Sequence, residues 1–170
     1  MRLNCTAGVV VLAFTPLALF TPSTAHSALL SLTLRAEQCI VGASQYHSVS
    51  PVVLKAIVRH ESRGNPKTIS RNSNNSVDVG LAGINSIHFP ELRQKGVSPE
   101  QLLDECVSVY VGAWKYSKKV FKYGNTWRAI GAYHSETDYY SSRYQALIYN
   151  ELVDMGMADT KMSIPALAPR

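Results

Sequence analysis

Apolar residues at helical spacing are the feature of this sequence that most constrains its fold. After the first 28 residues they recur three or four positions apart, and no stretch alternates over the length of a strand. With 170 residues, 46% of them hydrophobic, the chain is long enough for one compact domain with a buried core. We therefore predict a mostly α-helical domain over residues 28–156 with at most a small β-hairpin, followed by a flexible tail over residues 157–170.

A helix is expected to begin after Ser50, a favoured N-cap, and to end near Ser62. Its apolar stripe includes Leu54 and Ile57, and Glu61 takes the next position on the same stripe, seven residues after Leu54. A carboxyl group therefore completes a face that is otherwise buried.

The segment after this helix is rich in polar residues and glycine. Residues 70–76 are mostly Asn, Ser and Arg, which predicts a polar loop or a small hairpin. Residues 80–85 contain two glycines, which predicts a tight turn that enters a short helix.

Several further helices are expected in the second half of the chain. The first ends at Gly124, and spacing predicts its buried side as Val107, Tyr110, Val111, Trp114 and Phe121. Its lysines lie mostly off that side and are Lys115, Lys118, Lys119 and Lys122. Such a run usually forms a solvated helix face, although it could bind an acidic partner. The last helix is expected to carry Tyr140, Tyr144, Leu147 and Ile148 on its apolar stripe.

The first 25 residues have the layout of a secretory signal peptide. Arg2 precedes an uncharged, mostly apolar run over residues 8–20, and small residues follow at positions 23–25. The apolar run is too short for a comfortable membrane span. We therefore predict cleavage of residues 1–25 and a periplasmic mature protein with no stable membrane span.

The cysteine count follows from that cleavage. Loss of residues 1–25 removes Arg2 and Cys5, so the formal net charge falls by one from +5 and the cysteines that stay are Cys39 and Cys106. An oxidising export compartment favours their pairing. The expected disulfide closes a long loop and stabilises the fold by about 4 kcal/mol on the chain-entropy model.

Several kinds of chemistry are excluded by the residues present. The positive charge suits work near anionic cell-wall polymers, but it is small and no nucleic-acid motif accompanies it. His60-Glu61 lacks the second histidine of a zinc-protease motif, and the other histidines are scattered, so we expect no metal site. There is no G-x-S-x-G elbow, and a cysteine nucleophile would require breaking the expected disulfide.

Glu61 is the candidate that these exclusions leave. A carboxyl group on an apolar stripe at a helix end loses solvation, which raises its pKa towards the range of a general acid. Cleavage of a glycosidic bond requires such an acid. From position alone, a structural glutamate that binds backbone groups of the following loop is an equal alternative.

Several ordered motifs resemble those of lytic transglycosylases. They are residues 60–66 (HESRGNP), 76–81 (SVDVGL), 84–85 (IN) and 132–133 (AY). The resemblance is closest to the specialised enzymes that accompany bacterial secretion and conjugation systems. It covers nearly the whole mature chain, including Cys39 and Cys106, where members of this group place a disulfide. It implies a lysozyme-like helical fold, a groove for alternating N-acetylglucosamine and N-acetylmuramic acid, and no metal or organic cofactor.

The resemblance also implies a mechanism. Glu61 matches the single catalytic glutamate of the family, which protonates the bridging oxygen and then takes the proton from the C6 hydroxyl of the muramic sugar. The product carries a 1,6-anhydro end. Because that hydroxyl replaces water, no second carboxylate is required.

The same resemblance indicates the substrate-binding residues. Ser76 and Asp78 match the motif that shapes a hairpin beside Glu61, and Tyr133 matches a groove tyrosine that holds the sugar or Glu61. A core aromatic residue is an equal alternative for Tyr133. The full set expected to bind substrate is Ser76, Asp78, Gly80, Leu81, Asn85, Tyr133 and His134.

Two departures from the family pattern bear on activity. Ala82-Gly83 stands where the family usually has Met-Gln, and His134 stands where it usually has Asn. Loss of an amide that binds substrate costs about 1 to 3 kcal/mol.

Three functions are therefore compared. The first is a peptidoglycan lytic transglycosylase whose partners are glycan strands and components of a secretion or conjugation apparatus. The second is a lysozyme-type hydrolase that uses Glu61 with Asp78 as the second carboxylate. The third is a wall-binding assembly component that has kept the fold and lost turnover.

Overall fold

The structure is a computed structural model that describes residues 32–166. The α-helices of this part are α1 (Leu34–His47), α2 (Pro51–Ser62), α3 (Phe89–Gln94), α4 (Glu105–Tyr123), α5 (Trp127–His134) and α6 (Asp138–Asp154). Three short strands, β1 (Ile69–Arg71), β2 (Val77–Val79) and β3 (Ile84–Asn85), and two 3-10 helices, Ser86–His88 and Glu100–Leu103, complete it. The predicted mostly α, lysozyme-like domain is confirmed. The predicted signal peptide lies outside the described residues.

Helix α2 forms as its sequence predicts. Ser50 caps its first turn by accepting a hydrogen bond from the backbone N–H of Val53 at 3.4 Å, and Arg63 ends it in the left-handed conformation with φ 52°. Leu54 and Ile57 are fully buried. Glu61 therefore leaves the last turn of a helix whose position is fixed by its core face.

The three strands form one antiparallel sheet in the order β1-β2-β3. Ser70 pairs with Asp78 in the first hairpin, and Asp78 pairs with Asn85 on the other side. The tight turn expected within residues 80–85 is present, but it leads into β3 before the 3-10 helix Ser86–His88. Strand β3 forms because Ile84, which is fully buried, continues the core beside Val79.

Helix α4 lies at the centre of the domain and packs against α1, α2 and α5. A disulfide joins Cys39 of α1 to Cys106 in the first turn of α4, with the two Cα atoms 5.2 Å apart, as the sequence predicts. Arg35 adds an ion pair of 2.7 Å to Asp104 at the same end.

The buried side of α4 differs from the prediction made from apolar spacing. Phe121 is 96% exposed and Tyr110 is 38% exposed, whereas the buried residues are Ser108, Val109, Val111, Gly112, Ala113, Lys115 and Tyr116. Because α4 has neighbours on several sides, small residues and the lysine stem fill its close contacts. The spacing of large apolar residues therefore predicted Val107, Val111 and Trp114 correctly as core-facing, but it was wrong for Tyr110 and Phe121.

Helix α6 packs against α2, and the last described residues pack against α6. The Nε of Arg59 in α2 lies 3.3 Å from the carboxylate of Glu151 in α6, and both side chains are largely buried. After α6, the side chain of Asn150 exchanges hydrogen bonds of 3.0 and 2.7 Å with the backbone of Met162. Residues 157–166 thus run back along α6, and the flexibility of the tail stays a prediction. No helix of residues 32–166 is long and apolar enough to span a membrane.

Candidate active site

Glu61 lies in an open groove with a volume of about 570 Å³. The groove is bounded by the end of α2, the β1–β2 hairpin, the turn before β3, the middle of α4 and the end of α5. The predicted site residues that line it are Glu61, Ser76, Asp78, Asn85, Tyr133 and His134. Residues distant in sequence are therefore brought together around one carboxyl group.

Two of the expected substrate-binding residues do not reach this groove. Leu81 is fully buried in the core. Gly80 is packed so closely against the 3-10 helix Glu100–Leu103 and the start of α4 that an added Cβ would lie 2.0 Å from the carbonyl oxygen of Leu102 and 2.6 Å from Ser108 Oγ. These two residues shape the turn behind the groove, and their role in substrate binding stays a prediction.

The carboxyl group of Glu61 has one donor and one close backbone neighbour. The hydroxyl of Tyr144 donates to Oε1 at 2.5 Å. On the other side lies Gly83, with φ +56°, where an added Cβ would come within 2.5 Å of Oε2. Only glycine allows this approach, so the turn before β3 holds Glu61 against α6.

Burial is the main influence on the protonation of Glu61. It raises the pKa of this carboxyl group from 4.5 to about 7, and the nearby charge of Asp78 adds to the rise. The Tyr144 hydrogen bond and the charge of Lys115 oppose it. A substantial fraction of Glu61 therefore carries a proton at neutral pH, which suits a general acid.

The turn that carries Gly83 is clamped from two sides. The hydroxyl of Tyr133 donates to the carbonyl of Ala82 at 2.6 Å, and the backbone N–H of Ala82 donates to Ser108 Oγ at 3.0 Å. Tyr133 is 1% exposed, although it is among the residues that line the groove. Its hydroxyl is thus engaged by the turn, and the tyrosine that holds Glu61 is Tyr144.

The hairpin side of the groove is held by amide–carboxylate contacts. Asp78 accepts hydrogen bonds from Asn72 Nδ2 at 2.8 Å and Asn85 Nδ2 at 2.7 Å, one on each oxygen. Both amides also donate to Ser76 Oγ at 3.0 Å, and Ser76 donates to Asn74 Oδ1 at 2.7 Å. Asp78 is therefore a structural centre of the sheet as well as part of the groove wall.

Tyr144 is enclosed by rings. His134 stacks on it at 5.1 Å with the planes 7° apart, and His60 meets it edge-on at 5.3 Å. Burial lowers the pKa of His60 to about 4 and also lowers the pKa of His134, so both rings are neutral at neutral pH. Spacing in the sequence indicated Tyr144 only as part of an apolar stripe. The feature that could have indicated a role in the site is its hydroxyl, because a buried tyrosine hydroxyl needs a hydrogen-bond partner.

Lys115 is the second site residue, after Tyr144, that could not be recognised from spacing alone. It was assigned to a solvated face, but it is 8% exposed and lines the groove, with Nζ 3.9 Å from the ring centroid of Tyr133. The prediction was wrong because the sequence does not show which of four closely spaced lysines on a helix faces inward. Within residues 32–166, no three His, Cys, Asp or Glu side chains are grouped to hold a metal ion.

A helical domain with one protonated glutamate at the bottom of an open groove has the architecture of lysozyme-like, glycan-cleaving enzymes. Residues 38–140 match the transglycosylase SLT domain family. The chain belongs to this family and is a peptidoglycan lytic transglycosylase. The resemblance found in its motifs is confirmed.

Three relatives show how far the similarity extends. The invasion protein IagB of Salmonella typhimurium (strain SL1344) is 39% identical over 110 residues, which cover 64% of this chain and 69% of IagB. Protein IpgF of Shigella flexneri is 35% identical over 100 residues, 58% of this chain and 66% of IpgF. The X polypeptide of Escherichia coli is 35% identical over 102 residues, 59% of this chain and 60% of that protein.

Proposed function

We propose that this enzyme cleaves the β-1,4 bond between N-acetylmuramic acid and N-acetylglucosamine and leaves a 1,6-anhydro end. The observation that carries the proposal is the position of Glu61, whose carboxyl group lines the groove and accepts a hydrogen bond from Tyr144, in surroundings that raise its pKa to about 7. Membership of the SLT family supports the same substrate class.

The reaction needs Glu61 in two roles. Its proton passes to the bridging oxygen as the glycosidic bond breaks and positive charge develops on the muramic sugar. The carboxylate that results then accepts the proton of that sugar's C6 hydroxyl, whose oxygen closes the anhydro ring. The Tyr144 hydroxyl, whose pKa is raised well above 10 by burial, stays protonated and donates to Glu61 in both states.

The groove residues are proposed to hold the glycan strand. His134 offers a ring, Asn85 a carbonyl oxygen and Tyr133 part of its ring, whereas the Ser76 hydroxyl and the Asn85 amide hydrogens are engaged in the hairpin network and shape the wall. Sugar binding commonly uses such hydrogen bonds together with an apolar face. The hairpin network keeps these groups in place before substrate arrives.

Asp78 is poorly suited to act as the second carboxylate of a hydrolase. Both of its oxygens already accept amide hydrogen bonds, from Asn72 and Asn85. These contacts tie the carboxylate into the sheet between β2 and β3, so a nucleophilic role that requires Asp78 to move would strain them. This favours the intramolecular C6 hydroxyl over an activated water.

Digestion of sacculi in heavy-oxygen water tests this choice. A lytic transglycosylase forms its new end from the C6 hydroxyl, so the released ends should carry no heavy oxygen. A hydrolase would incorporate one heavy oxygen atom at each new reducing end, and that result would contradict the proposal.

We further propose that the enzyme is exported and opens the wall locally for a secretion or conjugation apparatus. The resemblance to specialised transglycosylases supports this, as does the similarity to a protein named for invasion. Mass analysis of the periplasmic protein should find a chain that begins near residue 26. A strain that carries Glu61→Gln should assemble fewer such apparatuses than wild type, and equal assembly would contradict the proposal.

A further inference from the structure

Lys115 differs from the other lysines of α4 in having no partner of opposite charge. Lys118 lies 3.2 Å from Glu91, and Lys119 and Lys122 lie 2.6 and 2.7 Å from the two oxygens of Glu136. Within residues 32–166, Lys115 has no ion pair and no hydrogen bond. Its ammonium group is therefore set apart for a different role.

The contact that Lys115 does make leaves its donors free. Its Nζ lies over the Tyr133 ring, and a cation–π contact satisfies no hydrogen-bond donor. Among the described residues, the fully buried side-chain polar atoms without a hydrogen-bond partner are Ser44 Oγ and Tyr116 Oη. The Nζ of Lys115 is not one of them, so the ammonium group is accessible from the groove. A side chain more than nine-tenths buried thus presents unpaired N–H groups to the groove.

The nearest acids do not neutralise this cation by contact. Asp78 is occupied by two asparagines, and Glu61 accepts from Tyr144 and holds a proton near neutral pH. Burial lowers the pKa of Lys115 to about 8, and the charges of Glu61 and Asp78 limit that fall. Lys115 is therefore still a cation at neutral pH, beside the carboxyl group that performs the chemistry.

We propose that Lys115 binds a carboxyl oxygen of the lactyl group on the muramic sugar next to the scissile bond. The proposal rests on the proposed function, which places that sugar in the groove beside Glu61. Of the two alternating sugars, only muramic acid has a carboxyl group, either as a free carboxylate or as the carbonyl of the amide to a peptide stem. Charge-assisted hydrogen bonds to such oxygens are about twice as strong as neutral ones.

This contact would set the register of the strand. The two sugars alternate, so a strand shifted by one sugar would place a glucosamine, which has no lactyl group, over Lys115. The ammonium would then lose its partner, and the misplaced strand would bind more weakly. Lys115 thus acts as a specificity-determining residue that presents the muramic C6 hydroxyl to Glu61.

Binding measured without turnover tests the proposal. In the Glu61→Gln protein, calorimetry compares Lys115→Met with the matched control Lys118→Met, a lysine on the outer face of the same helix. The ligands are a tetrasaccharide of alternating glucosamine and muramic acid with free lactyl carboxylates, its peptide-bearing form, and chitotetraose, which has no lactyl group.

The expected result is selective. Lys115→Met should weaken the binding of both muramic ligands about tenfold to a hundredfold and change chitotetraose by less than about twofold, while Lys118→Met changes none. Equal weakening of all three ligands would show a structural role and overturn the proposal, as would no weakening at all. If the Glu61→Gln protein binds none of the ligands, the proposed function fails together with it.

A variant ligand tests the same contact with Lys115 intact. Reduction of the lactyl carboxyl group to an alcohol should weaken binding to the Glu61→Gln protein about tenfold or more. Unchanged affinity would overturn the proposal even if Lys115→Met failed to fold.

Discussion

At the scale of the residue, two opposed effects set the pKa of Glu61. Burial raises it, and the Tyr144 hydrogen bond and the charge of Lys115 lower it. The position of Glu61 on an apolar stripe was visible in the sequence, since a carboxylate seven residues after Leu54 continues a buried helix face. The groups that shift the pKa of Glu61 could not be recognised from the sequence. Tyr144 looked like one more apolar residue and Lys115 like one more surface lysine, because spacing along a helix does not show which polar end finds a buried partner.

The buried carboxyl group makes stability depend on pH in a defined direction. The pKa of Glu61 is raised from 4.5 to about 7, so the folded state binds more protons and its free energy of unfolding falls as pH rises through that window. Glu61→Gln, which is always neutral, should gain about 1 to 3 kcal/mol relative to wild type between pH 5 and pH 8. Urea unfolding at both pH values measures this, and parallel pH curves for the two proteins would disprove it.

Tyr144 should control the alkaline side of the activity profile. The rate should fall above pH of about 7 as Glu61 loses its proton. Because the Tyr144 hydrogen bond favours the carboxylate, Tyr144→Phe should move that fall to higher pH and lower kcat about tenfold. The control Tyr149→Phe, on the same helix, should keep the wild-type profile. A Tyr144→Phe profile that matches wild type would refute this role.

At the scale of the element, α2 and the turn before β3 act as one unit around Glu61. The sequence from Ser50 to Ser62 predicted the N-cap of α2, its core face and its end, because local capping and apolar spacing determine all three. The face of α4 was predicted only in part. Val111 is buried as expected, but small residues and Lys115 are buried where Phe121 was expected, because the neighbours of α4 lie far away in sequence.

Gly83 offers a direct test of that unit. Gly83→Ala should lower kcat about a hundredfold, because its Cβ would lie 2.5 Å from Glu61 Oε2 and displace the carboxyl group. Gly96 has a similar φ of +77° but open space around it, so Gly96→Ala should cost only about 1 to 2 kcal/mol of stability and leave kcat unchanged. Steady-state rates on soluble glycan strands compare the two, and equal losses would contradict the account.

The same geometry changes how the departure from the family pattern is understood. A glutamine at position 83, as the family usually has, would carry a Cβ into Glu61 in this backbone conformation. The turn of this chain therefore requires glycine at position 83. Because no side chain is present there, the turn can pack directly against Glu61. Motif comparison showed that position 83 departs, but it could not show the positive φ that accompanies the departure.

At the scale of the whole molecule, long-range links join the elements that form the groove. The Cys39–Cys106 disulfide spans 67 residues and joins α1 to α4, and the Arg59–Glu151 ion pair joins α2 to α6. The disulfide could be predicted from the cysteine count, whereas the ion pair could not. The mostly helical class followed from periodicity, but only the motif resemblance indicated that Glu61 and Tyr133 share one groove.

Removal of the disulfide should therefore weaken the whole domain. Cys39→Ala with Cys106→Ala should lower the free energy of unfolding by about 4 kcal/mol on the chain-entropy model. Urea unfolding of the oxidised protein, the reduced protein and the double variant measures it. The reduced protein and the variant should unfold together at lower urea, and a variant as stable as the oxidised protein would rule out a stabilising disulfide.

The central claim is that Glu61 alone supplies the acid and the base for anhydro-forming cleavage. The most direct measurement is digestion of purified sacculi by residues 26–170 and by the same chain with Glu61→Gln, with mass analysis of the released ends. The account predicts 1,6-anhydro-muropeptides from the unchanged protein and none from the variant. Reducing ends, or equal release by both proteins, would contradict it.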